Sequence, residues 1–85
     1  MYIPTMTNTM ESLSELYRNG RPLMSCCYLE GKSGKRANII VVRADRDYEG
    51  IAVYEDGSMY TTWGNRKANL MSRMRREVKK RLDTL

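Results

Sequence analysis

Apolar positions change their period along the chain, and each change marks an element. Met10, Leu13, Leu16 and Tyr17 recur at helical spacing, which predicts a short amphipathic helix over residues 9–19. Asn8 and Glu11 stand at capping-box spacing at its start, although that motif favours Ser or Thr in the first position. Asn19-Gly20 tolerates the positive φ that ends a helix, and Pro22 blocks its continuation. Residues 1–7 are weakly patterned and read as a flexible lead-in, with Pro4 opposing a helix through them.

From Leu23 the period falls to that of strands. Residues 23–30 predict a first strand, and Gly31-Lys32-Ser33-Gly34-Lys35-Arg36 a loop rich in turn formers. Residues 37–44 contain Ile39-Ile40-Val41-Val42, apolar on both faces, as suits a central strand covered on both sides. Asp45-Arg46-Asp47 turns the chain into a third strand, 48–55. Asp56-Gly57 is a two-residue hairpin signal leading to a fourth, 58–63. That loop pairs Tyr54 with Met59, Val53 with Tyr60 and Gly50 with Trp63, so Ile51, Val53, Tyr60 and Thr62 share a face and the indole lies across a glycine.

Gly64 and Asn65 end the last strand, with Asn65 the expected N-cap of a final helix. Its apolar stripe is Leu70, Met71, Met74, Val78 and Leu82, spanning about 120° of arc at 100° per residue. The predicted fold is a single α+β domain over residues 1–85. It is an antiparallel meander of four strands, or of three, flanked by a short N-terminal helix and a long basic C-terminal helix.

Composition sharpens one part of this picture. The net charge is +5, and residues 63–85 hold eight of the fifteen basic residues but two of the ten acids, leaving seven basic and eight acidic residues elsewhere. The positive charge is thus a property of the last helix. On it, Arg66, Asn69, Arg73, Arg76 and Lys80 follow i, i+3, i+7, i+10, i+14 spacing, an outward ridge about 21 Å long. Arg75 and Lys79 flank it. Such a row suits a run of phosphates, and Arg and Asn also suit base edges. A merely solvated face is the competing reading, but such a face would mix in more acids than Glu77 and Asp83.

Arg66 and Lys67 sit at the positive end of the helix dipole, where either an anion or the nearby Asp45 and Asp47 would neutralise them. Lys35 and Arg36 in the first hairpin offer a second backbone contact, without the spacing of a nucleotide-binding loop. Asp45, Asp47 and Glu49 alternate like cation ligands but lack the register of a calcium loop, so neither a metal nor another cofactor is expected. With no His and no nucleophile beside a base, the residues do not suggest an enzyme.

Cys26 and Cys27 are adjacent, so in a strand they point to opposite faces, and a bridge between them would be strained. A reducing cytoplasm is the expected setting, with no membrane association. The apolar tail through Leu82 and Leu85 also admits a homodimer. Met71 and Met74, among seven methionines, are expected to fill gaps in the core.

The element order resembles that of a double-stranded-RNA-binding domain, an α-β-β-β-α unit with basic residues opening its last helix. Arg66 and Lys67 take that position here. The chain departs from the pattern by an extra strand, by a hairpin loop without His and by a last helix without an Ala-rich face. The stretch Ile51-Ala52-Val53-Tyr54-Glu55-Asp56-Gly57-Ser58 is also similar to a hairpin in a small phage anti-CRISPR protein. The expectation is a small non-enzymatic nucleic-acid-binding or regulatory protein. The alternative is a phage-type inhibitor or adaptor that docks its basic helix, or a sheet edge, on an acidic protein surface.

Overall fold

The computed structural model describes residues 6–85, apart from the side chains of residues 6–9 and 11. The order is α1 (Met6–Arg18), β1 (Leu23–Glu30), β2 (Arg36–Ala44), β3 (Asp47–Tyr54), β4 (Met59–Gly64) and α2 (Lys67–Thr84). The strands pair antiparallel in the order β1-β2-β3-β4, so this is the expected α+β meander of four strands, not three. The two helices take opposite faces of the sheet. Alternation along β2 and β3 sends Ile40, Val42, Ile51 and Val53 towards Leu13 and Tyr17 of α1. It sends Ala37, Ile39, Val41, Ala52 and Tyr54 towards Leu70, Met74, Val78 and Leu82 of α2. This double coverage is why Ile39–Val42 could be apolar without interruption.

α1 begins earlier than expected: Asn8 lies within the helix and does not precede it. Much of the lead-in, Pro4 included, falls outside the described residues. The helix ends at Asn19 and Gly20, with φ of 53° and 72°. Ser14 is buried in its sheet-facing side, where its hydroxyl donates to Met10 O at 2.9 Å and accepts from Asn38 Nδ2 at 3.0 Å. Arg21, just past the helix, pairs with Glu49 at 2.6 Å and so ties α1 to β3.

The β3–β4 register corrects the expected hairpin. Gly57 N donates to Tyr54 O at 2.9 Å and Tyr54 N to Ser58 O at 2.9 Å, with Gly57 at φ 88°. This is a three-residue loop, Glu55-Asp56-Gly57: a type I turn followed by a left-handed glycine. Asp56 Oδ1 favours it by accepting from both Ser58 N (2.9 Å) and Ser58 Oγ (2.6 Å). One added loop residue shifts β4 by one and exchanges its faces. Val53 now pairs with Met59, Ala52 with Tyr60, Gly50 with Thr62 and Glu49 with Trp63. Tyr60 and Thr62 therefore face α2, while Met59, Thr61 and the exposed Trp63 lie on the α1 side. Gly50 makes room for Met74, whose Cγ would stand 3.0 Å from a Cβ there, and not for the indole. The β1–β2 hairpin closes by the same device, with Gly34 N donating to Gly31 O (3.0 Å), Gly31 N to Lys35 O (2.7 Å) and Gly34 at φ 85°.

α2 crosses the sheet diagonally, from Leu70 against Gly64 of β4 to Leu82 against Gly31 beyond β1. Leu70, Met74, Val78 and Leu82 are buried, each adding about 1.5–3 kcal/mol by leaving water. Met71 is half-buried at the edge of the stripe. Its N-cap is Arg66 in extended conformation, not Asn65, and no side chain caps the helix start. No helix among the described residues is long and apolar enough to cross a membrane. Cys26 and Cys27 are free thiols.

Candidate functional site

The outward face of α2 follows from the stripe beneath it. Relative to the mean direction of Leu70, Met74, Val78 and Leu82, Arg76 points about 180° away at 100° per residue. Asn69 lies about 20° to one side of that crest, and Lys80 about 40°. Ser72 lies about 40° to the other side. Arg73 and Arg66 are further round, on the β4 flank, at about 60° and 80°. Arg66, Asn69, Arg76 and Lys80 are exposed, and their side chains make no hydrogen bond or ion pair among the described residues. Four of the five expected ridge residues thus present free polar groups.

Arg73 is the exception. Its Nη2 donates to Trp63 O at 2.5 Å and to Thr62 Oγ1 at 3.4 Å, so the guanidinium bends down onto β4. In a hairpin closed this way, Met59, Thr61 and Trp63 turn their backbone groups outward along the open edge of the sheet, and Arg73 occupies one of them. Lys79 does the same at the opposite edge, where its Nζ donates to Glu30 O of β1 at 2.8 Å and lies 3.5 Å from Asp83. Two cations of one helix therefore cover backbone acceptors on both edge strands. Charged side chains on a sheet edge oppose pairing with another chain, here at one acceptor on each edge.

The β4 flank continues with Glu77, which accepts the Tyr60 hydroxyl, and Arg81, 4.9 Å above the Tyr54 ring. The Glu77 carboxylate pushes the Tyr60 phenol above its usual pKa, burial adding to the effect. Burial likewise raises Tyr54, with Arg81 opposing it. Of the two acids expected to balance the helix, Glu77 is held by Tyr60. Asp83 accepts from Lys32 N at 2.8 Å, which with the nearby Lys79 holds its carboxyl below the ordinary aspartate range. Glu77 points about 100° from the crest, and Asp83, about 20° from it at the last turn, is drawn to the β1–β2 loop.

On the other flank, α2 and β1 leave an open groove of about 440 Å³, floored by Leu29 and rimmed by Ser72, Arg75, Arg76 and Lys79. Leu29 and Ser72 were not legible as part of a site. Their only signal is that Leu29 faces α2 from an edge strand, a placement that register alone determines.

The remaining candidates divide. Asp45 and Asp47 lie at the same end of the sheet as the start of α2, yet no ion pair joins them to Arg66 or Lys67 among the described residues. Both cations are exposed. Asp45 sits at φ 54° in the β2–β3 turn, and Glu49 belongs to Arg21. Among the described residues no three metal-ligating side chains gather. Lys35 is exposed at the C-terminal end of α2. Arg36 is not its partner in a second contact: it pairs with Glu55 at 3.4 Å, and its backbone N donates to the same carboxylate. The Tyr28 hydroxyl, then Glu55, hold its guanidinium above its ordinary pKa against a desolvation cost. Leu82 is buried against Gly31 and so cannot meet a second copy, while Leu85 remains about half exposed.

Compared with protein-family models, with curated proteins and with solved structures, the chain matches none.

Proposed function

We propose that this is a small non-enzymatic nucleic-acid-binding protein that grips a phosphate backbone with the outer face of α2. One observation carries the reading. Arg66, Arg75, Arg76 and Lys80 are exposed cations on the free side of one helix, while its two acids are occupied by Tyr60, Lys79 and the Lys32 backbone. A surface with unpaired charge of one sign binds a polyanion by releasing its counterions. Lys35, beyond the C-terminal end of the helix, extends the same field. Arg36, Arg73 and Lys79 are withdrawn into contacts of the fold. The reading places the protein in the cytoplasm, where the thiols of Cys26 and Cys27 stay reduced.

The test is a fluorescence-anisotropy titration against nucleic acid over a range of salt. Log affinity should fall with log salt at about −0.9 per phosphate neutralised on duplex DNA. The double variant Arg76→Glu/Lys80→Glu should abolish binding while keeping the native circular dichroism spectrum. Absence of binding to any nucleic acid at low salt would overturn the reading. Capture of an acidic protein that survives nuclease treatment would replace it with a protein-binding role for the same face. Partner binding by strand addition would have to use the other outward backbone groups of β1 and β4, because Glu30 O and Trp63 O already accept from Lys79 and Arg73.

A further inference from the structure

Resting on the nucleic-acid reading, we infer that α2 is a recognition helix for the major groove of duplex DNA, with Arg76 and Asn69 reading base edges. Three features of the outer face choose among the nucleic acids. First, it carries no aromatic residue: residues 64–85 contain none, and Trp63 lies on the opposite side of the sheet. Binding of single strands rests on aromatic side chains on which successive bases stack. A face without them offers a single strand only its charges.

Second, the outer face is a convex helix, packed on the sheet along one stripe and exposed on its crest. A helix with side chains is about 10–12 Å across, which matches the B-form major groove of about 12 Å. The major groove of A-form RNA is deep and too narrow for side chains to read. A helix that reads base edges from a major groove therefore fits duplex DNA, whereas duplex RNA would be met across its wide, shallow minor groove.

Third, the outer face combines base-reading side chains with cations. Within about 40° of the crest lie Asn69, Ser72, Arg76 and Lys80, with Asp83 at the last turn. The first three are residue types that pair with base edges, Arg with guanine O6 and N7, Asn with adenine N6 and N7, Ser with either. Cations that suit phosphates lie beside and beyond them, Lys80 next to the crest, Arg66 further round on the β4 flank and Arg75 on the β1 flank beside the groove. A helix seated in a major groove has a sugar-phosphate strand on each side and bases ahead of it. Asn69 and Arg76 are seven residues apart, about 10.5 Å along the axis, or about three base-pair steps. The structure thus carries a crest that reads and two flanks that hold.

The experiment compares the full chain on a 20-base-pair duplex DNA enriched from a randomised pool, the duplex RNA of the same sequence, and each single strand, all at one salt concentration. Duplex DNA should bind at least tenfold more tightly than RNA or single strands. The enriched sequence should fix a guanine and an adenine about three steps apart. Arg76→Lys keeps the charge but loses the bidentate fork, so it should leave the salt slope unchanged and reduce the preference for guanine by about tenfold or more. Equal or tighter binding of RNA or a single strand, or enrichment that fixes no base, would overturn the inference while leaving phosphate binding intact. Failure to bind all of the probes would overturn both readings.

Discussion

Gly31 and Leu82 meet with no room for a side chain between them: a Cβ on Gly31 would stand 2.7 Å from Leu82 Cβ and 2.8 Å from its carbonyl carbon and oxygen. The contact seats the β1–β2 loop on the last turn of α2. Two hydrogen bonds hold it there, Lys32 N to Asp83 Oδ1 at 2.8 Å and Ser33 Oγ to Leu82 O at 3.4 Å. The helix that carries the candidate site is thus fixed at its far end by a glycine about fifty residues earlier in the chain.

Gly31→Ala should therefore destabilise the fold by about 1–3 kcal/mol, the cost of overpacking against backbone that cannot move aside. Gly34→Ala in the same loop meets open space, and only its φ of 85° opposes the change, at about 1–2 kcal/mol. Urea unfolding of both variants tests the distinction. A Gly31→Ala protein with an unchanged midpoint would show that the loop is not seated on the helix.

The β3–β4 register can be checked separately. Asp56→Ala removes both hydrogen bonds to Ser58 and should cost about 1 kcal/mol. In the wild-type protein, nuclear Overhauser contacts should join the Cα protons of Glu49 and Trp63. Contacts from Trp63 to Gly50 in their place would restore the two-residue loop and return Tyr60 to the α1 face.

The sequence-structure relation is uneven in an instructive way. The helices, the four strands and the doubly covered Ile39–Val42 run could be read from periodicity, because burial imposes a period wherever one face meets a core. The β4 faces could not, because Asp-Gly fits both a two-residue loop and the type I turn with glycine, and a single residue decides the alternation of everything after it. The site shows the same limit. Helical phase placed Arg66, Asn69, Arg76 and Lys80 correctly on the free side of α2. It also placed Arg73 there, since an angle about 60° from the crest is compatible with either solvent or a neighbouring edge strand. Only the position of Trp63 O resolves that choice, and no local pattern encodes it.

Stability should depend on acid through Asp83. Its native carboxyl is held below the ordinary range, first by the Lys32 N–H and then by Lys79 after a desolvation cost. A depressed native value means stability that is fully present above the unfolded aspartate value of about 4. It is lost as pH falls through the native one. Asp83→Asn keeps an acceptor for Lys32 N but removes the charge. The wild-type protein should be the more stable of the two at pH 6, and the gap should close as pH falls below about 4. A gap that stays constant across that range would show that the charge contributes nothing.

Arg73 and Arg76 separate folding from binding on one helix turn. Arg73 holds the β4 edge through Trp63 O, so Arg73→Ala should lower stability by about 1 kcal/mol and speed hydrogen exchange along β4. Arg76 is exposed and its side chain makes no hydrogen bond or ion pair among the described residues, so Arg76→Ala should leave the unfolding midpoint in place. Its loss should weaken binding of duplex DNA at that unchanged midpoint, whereas Lys80→Ala, which removes a phosphate contact, should make the salt slope shallower by about 0.9, a change that destabilisation does not produce. The charge reversal Arg73→Glu would confound the two effects by opening the sheet edge as it weakens the field, which is why Arg76 and Lys80 are the positions to reverse. Should Arg73→Ala alone remove the slope with the midpoint unchanged, its bond to Trp63 O would have to give way on binding, and the β4 flank would join the interface.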